Sequence, residues 1–406
     1  MRTQQTRYIL SGHLSSVKQV QFQPGNDSIL ATSSRDGSVQ IWDLRTAGSA
    51  KPAKTLIDPD TDGSDTGPRQ VLYSNNCISV KDAHSHHHTG SLTRSGSDLF
   101  ATRSDTATKR TDISITALSF LPAGREHFLL TGSEANASIK LWDIRGKHTS
   151  RHGTAMPVSA TLEPDSHNRH RHFGINSLAL SGDGGRLYAL CRDSTVYAYS
   201  TNHLILGHAP ELNDNAPKWR RPAYEGQTGI GPLYGFRHSQ LHAASFYIKA
   251  SIRPAMGDKC EMLAVGSREG CAVLFPTDEN FFKSNDSVHD ESDKDDDDDD
   301  DDLPSVQTLK RPIARRTTSG MSASTRWHDT IPIYDQGTAL VRGHQSEVTG
   351  LTWTADGELV TVGDDFLARC WREGPQARDL RLGGEVEGRR WGCGWADVPK
   401  GYDDEE

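Results

Sequence analysis

Arginine, histidine and aspartate are the residues of this chain whose spacing could support chemistry. Trp42-Asp43-Leu44-Arg45 and Trp142-Asp143-Ile144-Arg145 place an Arg three residues after a Trp, twice. A planar guanidinium pairs with a carboxylate through two parallel hydrogen bonds, so an Arg at a fixed position suits the anchoring of a protein partner. Asp58, Asp60 and Asp62 followed by Gly63 begin with the spacing of a calcium loop, but Arg69 stands at the twelfth position, where a bidentate Glu is needed. His84, His86, His87 and His88 form one imidazole cluster; His167, His170 and His172 form another. Imidazoles bind zinc, yet both clusters fall outside the repeating pattern described below, where His-rich tracts are solvated. Ala83-His84 has a further reading, as the stand-in for a Gly-His pair. No metal and no cofactor are expected. No Gly-x-Ser-x-Gly elbow, phosphate-binding loop or dinucleotide fingerprint occurs, and no Cys sits in a ubiquitin-transfer or protease motif, so no enzyme activity is expected.

The chain has 406 residues, with 45 Lys and Arg against 54 Asp and Glu, a net charge of −9. That average hides its distribution. Residues 286–302 hold twelve acidic residues and one Lys; without them 44 basic residues face 42 acidic ones, and without Asp403–Glu406 as well the remainder is +6. The body is slightly basic and carries two acidic appendages. The run Asp295–Asp302 reads as solvated linker, and Lys310-Arg311 with Arg315-Arg316 reads as a nuclear import signal or a counter-charge. Apolar content of 34% and a mean hydropathy of −0.63 are low for a fully packed chain and predict disordered segments. No apolar run approaches the ~20 residues that span a bilayer, and Met1–Leu14 lacks a signal-peptide layout. Six scattered Cys with no Cys-x-x-Cys pair point to a reducing compartment.

The elements that must position the two Arg residues form a repeat. Trp42, Trp142, Tyr199, Phe275 and Trp371 each have a Leu twelve positions earlier (Leu30, Leu130, Leu187, Leu263, Leu359). Six positions earlier stands Asp36, Asn136, Asp193, Glu269 or Asp365. Upstream lies an apolar triplet whose last two members alternate as in a strand: Val17-Val20-Phe22, Ile115-Leu118-Phe120, Ile175-Leu178-Leu180, Tyr247-Ala250-Ile252 and Val348-Leu351-Trp353. Each unit is thus three short strands joined by turns. One such unit cannot bury both faces, which implies radial stacking. The predicted repeats are 7–46, 113–146, 173–201, 239–276 and 340–373; residues 47–112, 202–238 and 277–338 are read as disordered insertions and 374–406 as a tail.

Gly12-His13, Gly343-His344 and the two Trp-Asp pairs make these units resemble WD40 repeats, which implies an all-β propeller. The resemblance assigns His13, Asp36 and Trp42, and likewise His344, Asp365 and Trp371, to a structural brace. The Trp-Asp-x-Arg pair is similar to the box of cullin-4 RING ubiquitin ligase receptors. Ala31–Arg45, Ile139–Arg145, Asn176-Ser177-Leu178, Arg192–Tyr197, Ser245–Ser251 and Gly343–Thr349 together resemble the denticleless (Cdt2-like) receptor family, its fungal members above all.

That resemblance implies a non-catalytic substrate-recognition subunit. Trp42, Asp43, Arg45, Trp142, Asp143 and Arg145 would contact the propeller adaptor of the ligase. Replication-licensing and cell-cycle proteins, presented on the clamp PCNA, would be ubiquitinated for proteasomal degradation in the nucleus. Neither membrane association nor sequence-specific nucleic-acid binding is expected. A scaffold in chromatin or ribosome assembly shares the repeat features and gives the arginines no ligase partner. The family has seven blades and five are visible here. Arg7-Tyr8-Ile9-Leu10 reads as the outer strand of a blade whose inner strands precede this sequence, or else as the strand that completes the last blade. No Gln-x-x-apolar-x-x-aromatic-aromatic clamp motif follows the last repeat.

Overall fold

The computed structural model describes residues 8–45, 72–74, 76–81, 83–84, 113–122, 124–146, 157–169, 172–206, 227–228, 231–257, 259–280, 331–340, 343–373 and 393–395. They form five antiparallel blade sheets of a propeller. The first three strands of each are Val17–Gln23, Asn26–Ser34 and Val39–Asp43; Ile115–Phe120, Phe128–Ser133 and Lys140–Asp143; Ile175–Leu180, Arg186–Cys191 and Val196–Ser200; Ala250–Arg253, Met262–Gly266 and Ala272–Pro276; and Val348–Trp353, Leu359–Gly363 and Ala368–Glu373. Each first strand is innermost and packs on its neighbours' first strands in chain order.

The outer strands come from outside the predicted repeats, in stretches read as insertion or tail except for Ser159–Ala160 and Ala339. Asn76–Val80, Ser159–Ala160, Tyr234–Phe236 and Thr338–Ala339 pair antiparallel with the third strands of sheets one to four, and Cys393–Trp395 pairs parallel with that of sheet five. The insertions also reach backward. Gln227–Thr228, from the insertion of the third blade, pairs parallel with the outer strand of the second. Ile333–Tyr334, from the insertion of the fourth, pairs parallel with the outer strand of the third. Each covers an edge that would otherwise expose unpaired backbone.

Tyr8–Leu10 follows the same rule. Leu72–Ser74, from the insertion of the first blade, pairs with it in parallel. Tyr8–Leu10 therefore stands where the outer strand of a sheet before the first would stand, and it does not complete the fifth sheet, whose outer place Cys393–Trp395 takes.

One alignment needs correction. Leu30, Leu187, Leu263 and Leu359 lie opposite their aromatic residues, but Trp142 lies opposite Leu129, not Leu130. The turn between the second and third strands is one residue longer in the second blade. A one-residue offset reverses the side-chain face. Leu129 accordingly packs toward the first blade and Leu130 toward the third.

The seams between blades combine apolar packing with side-chain bonds to backbone. Gln19 Nε2 donates to Leu118 O (3.1 Å) and Gln19 Oε1 accepts from Leu118 N (2.9 Å), joining blades one and two. Thr116 Oγ1 donates to Ile175 O. Ser177 Oγ accepts from Ala250 N (3.2 Å). Trp353 Nε1 donates to Ser251 O (3.2 Å), with the buried Arg253 guanidinium 5.2 Å from its ring.

Among the described strands, the first and fifth sheets form no such seam. Val20 and Phe22 are 54% and 51% exposed, although Leu118 and Phe120 at the same repeat positions are buried. On the fifth sheet Val362 and Ala368 are exposed, whereas Val39, Ile139, Val196 and Ala272, which correspond to Ala368, are buried. The two open faces are the two unlike halves of the repeated seam. Phe120→Ala should therefore cost roughly 3–5 kcal/mol in urea unfolding, and Phe22→Ala under about 1.5 kcal/mol. Equal losses would show that the first face is covered.

Candidate functional site

The third strand of the first blade ends at Asp43, and the chain turns so that Arg45 folds back on it. The Arg45 amide and Nε donate to Asp43 Oδ1 (3.0 and 2.8 Å), and Nη2 donates to Oδ2 (2.7 Å). The second blade repeats the arrangement: the Arg145 amide and Nε reach Asp143 Oδ1 (2.9 and 3.1 Å), and Nη2 reaches Oδ2 (2.8 Å). The Arg side chains are 62% and 64% exposed. Hydrogen bonding from the Arg holds each Asp carboxyl below its ordinary range, against the effect of burial. Such exposed pairs add little to stability. Their effect is to fix a long side chain in one rotamer, which lowers the entropy cost of docking a partner. At the same offset Asn202 accepts from Arg125 Nη1 (2.8 Å) and Asp278 accepts from the Asn280 amide (2.9 Å); Gly374 lies outside the described residues.

Behind each Trp-Asp pair lies a polar chain centred on a threonine. Trp42 Nε1 donates to Thr32 Oγ1 (2.8 Å), which meets His13 Nε2 (2.7 Å), and His13 Nδ1 meets Asp36 Oδ2 (3.2 Å). A carboxylate only accepts, so the histidine proton is on Nδ1 and Nε2 accepts from the threonine. In the fifth blade Trp371 reaches Thr361 (2.9 Å), Thr361 reaches His344 (2.8 Å) and His344 reaches Asp365 (3.0 Å). In the second blade Trp142 reaches Thr131 (2.9 Å), Thr131 reaches the buried His84 (2.8 Å), and Asn136 takes the carboxylate's place (3.3 Å). The residues preceding these histidines must be small. A β-carbon at Gly12 would fall 3.1 Å from the Trp42 ring, and one at Gly343 2.5 Å from Trp371. The threonines escaped the sequence reading, although each lies two residues past the Leu opposite its Trp.

Blades three and four are built differently. Tyr199 and Phe275 carry no indole N–H, and the threonine position holds Ala189 or Val265. Their cores are aromatic instead, with Phe236 5.3 Å from Phe275 and 5.5 Å from Tyr234, ring centre to ring centre. Asp193, without a histidine, accepts from Tyr197 Oη (2.7 Å), and Tyr197 Oη also meets Ser166 Oγ (2.7 Å). In blade four His242 lies 3.5 Å from Glu269 at the surface.

The acids respond accordingly. At Asp36 burial alone would raise the pKa, but hydrogen bonds from Ser38 and the Leu14 amide, with His13 alongside, outweigh it and hold the group at about 2. At Asp193 burial prevails over the Tyr197 and Thr195 bonds and the Arg237 charge and raises the carboxyl to about 6.

Of the second imidazole cluster, His167 and His172 are described. His167 Nδ1 accepts from the Phe173 amide (3.2 Å), so its proton sits on Nε2 and donates to His172 Nδ1 (2.9 Å). The nitrogen facing its neighbour thus has no lone pair for a metal. Among the described residues no metal-binding group of three is found. Asp58, Asp60, Asp62, His86, His87, His88, His170 and the acidic and basic runs of 286–316 lie outside the described residues. No helix among the described residues is long and apolar enough to cross a membrane.

Five stacked sheets, three of them with Trp-Thr-His braces, define a WD40-repeat β-propeller fold. The model of the WD domain, G-beta repeat, matches residues 4–43 and 336–372. Among curated proteins the chain is similar to cell division cycle protein cdt2 of Schizosaccharomyces pombe, 25% identical over 88% of this chain and 48% of that protein. It is similar also to lethal(2)denticleless of Drosophila melanogaster, 28% identical over 47% of this chain and 21% of the relative. Denticleless protein homolog B of Xenopus laevis is 21% identical over 94% of this chain and 38% of its own length. The chain carries WD40 repeats and is similar to Cdt2 and denticleless proteins, and it spans less than half the length of each of these relatives.

The Asp193 carboxyl gives a pH test. Its folded pKa of about 6 lies above the ~3.9 of an unfolded Asp, so its contribution to stability is full below the unfolded value and lost as pH rises through 6. Asp193→Asn, which copies Asn136, should raise stability at pH 7 by on the order of 2 kcal/mol and remove the difference from wild type near pH 4. Urea midpoints at both pH values measure this; a loss of stability at pH 7 would show that the charged form is favoured.

Proposed function

We propose that this protein is the substrate-recognition subunit of a cullin-4 RING ubiquitin ligase. The observation that carries the reading is the pair of Asp-held arginines, Arg45 and Arg145, in the same geometry at the same strand end of adjacent blades. Two fixed guanidiniums, each exposed and each at the end of a third strand, form a repeated anchor for one partner surface. The partner proposed is the ligase's propeller adaptor. The likeness to cdt2 and denticleless proteins supports the same reading.

In this role the chain performs no bond chemistry. It raises the effective concentration of a substrate lysine near a charged ubiquitin-conjugating enzyme. The substrates proposed are replication-licensing and cell-cycle proteins, presented on PCNA in the nucleus and marked for the proteasome. Arg45→Ala with Arg145→Ala should cut co-purification of adaptor and cullin at least about tenfold, while the thermal melt stays unchanged, since both side chains are exposed. Undiminished adaptor recovery overturns the reading. Recovery of histones or pre-ribosomal proteins without cullin would favour a scaffold of another class.

A further inference from the structure

The face opposite the arginine-bearing strand ends has its own construction. On it, in every blade, the turn between second and third strands donates one amide to the backbone of the segment leading into the inner strand: Arg35 to Ser16, Glu134 to Ser114, Arg192 to Gly174, Arg268 to His242 and Asp364 to Glu347. All five turn residues are exposed, so this face is a ring of mixed charge.

One loop on it is tied down by several hydrogen bonds. Asn176, fully buried on the inner strand of blade three, donates from Nδ2 to both Ala243 O and Ser245 O (2.9 Å each). The Ala243 amide donates to Ser194 Oγ (3.0 Å), and Arg192 Nε donates to Ala244 O (3.2 Å). Lys249 Nζ donates back to Asn176 O (2.9 Å). The pinned loop displays Phe246, with the Arg192 guanidinium 4.4 Å from its ring centre, and Tyr247, 67% exposed. From the inner strand of blade one, Lys18 Nζ lies 5.9 Å from the Tyr247 ring centre.

The charges here do not cancel. Burial, and then the proximity of Lys18, lower Lys249 to about 8. Among the described residues no carboxylate forms an ion pair with Lys18, Arg192 or Lys249. Three cations beside an exposed aromatic ring make a positively charged patch, and cation–π contact leaves the guanidinium's outer edge available.

We propose that Lys18, Arg192, Phe246, Tyr247 and Lys249 form a docking site for an acidic peptide segment, its carboxylates on the cations and an adjacent apolar side chain on Tyr247. A peptide fits better than nucleic acid. Three cations neutralise few phosphates, and exposed Glu134, Glu269 and Asp364 on the same ring repel a polyanionic backbone. The site supplies the substrate-binding half of the receptor role and rests on that reading only for the partner being a substrate.

The test is fluorescence anisotropy of the full chain with a labelled short peptide alternating Glu and Leu, beside the same peptide with Gln for Glu. The acidic peptide should bind at least about tenfold more tightly, and Lys18→Glu or Tyr247→Ala should each remove most of that preference with an unchanged melt. Equal binding of the two peptides, or preference retained in both variants, overturns the proposal. So does tighter binding of a single-stranded oligonucleotide of equal charge that Lys18→Glu abolishes. Adaptor recovery is scored on the same preparations. Peptide binding without adaptor rejects the ligase reading and keeps the site; adaptor without peptide binding rejects the site and keeps the ligase reading.

Discussion

A threonine hydroxyl, buried and shared between an indole and an imidazole, is the contact on which the rest of three blades depends. Thr32, Thr131 and Thr361 each accept from a Trp and donate to a His Nε2, and the His donates its Nδ1–H to an Asp or Asn. All donors in this chain point the same way, so each bond polarises the next. At one end it fixes the turn that carries the exposed residue of the mixed-charge ring. At the other it fixes the Trp, and the residue after Trp42 or Trp142 is the Asp that grips Arg45 or Arg145. In these three blades the two faces of the propeller are thus linked by one polar thread.

The third and fourth blades show what replaces that thread. They give up the Trp and the Thr together, and between them lies the largest aromatic cluster among the described residues, around Tyr188, Tyr234, Phe236, Phe275 and Tyr334. Removing only one member would strand a buried donor or acceptor, at about 1–3 kcal/mol each. Losing both partners to apolar groups avoids that penalty. Asp193 remains, served by Tyr197 in place of a histidine, and burial lifts its proton affinity above that of Asp36 despite the Tyr197 bond.

Much of this was readable in the sequence, and the unread part has physical causes. The inner three strands announced themselves because they carry the packed faces of the blades, so their apolar spacing and turn residues are constrained. The outer strands were read as insertion or tail: Asn76–Val80, Tyr234–Phe236 and Thr338–Ala339 need only backbone pairing along one edge, and that leaves little trace in side-chain pattern. Leu130 was misaligned because a turn longer by one residue conserves composition while reversing faces. His84 was found, as a substitute for the missing Gly-His, but its threonine was not, since a lone Thr in a strand carries no distinguishing mark. The Asp–Arg chelates follow from Trp-Asp-x-Arg spacing. The Tyr247 loop does not, because it is assembled from blades one, three and four.

The exposed faces of the first and fifth sheets give the molecule a direction. Val20 and Phe22 belong to the half of a seam that receives a neighbour, Val362 and Ala368 to the half that is received. A body with two unlike, mutually complementary ends has polarity, as a bar magnet does. Whatever presents one matching half, whether more of the same polypeptide or another copy of it, finds only one end that fits and one orientation in which to sit. Association by unlike ends closes only if the rotation per unit divides the circle, and otherwise it continues. The chain's solution behaviour at high concentration therefore hinges less on its charge than on whether those two ends are given something to hold.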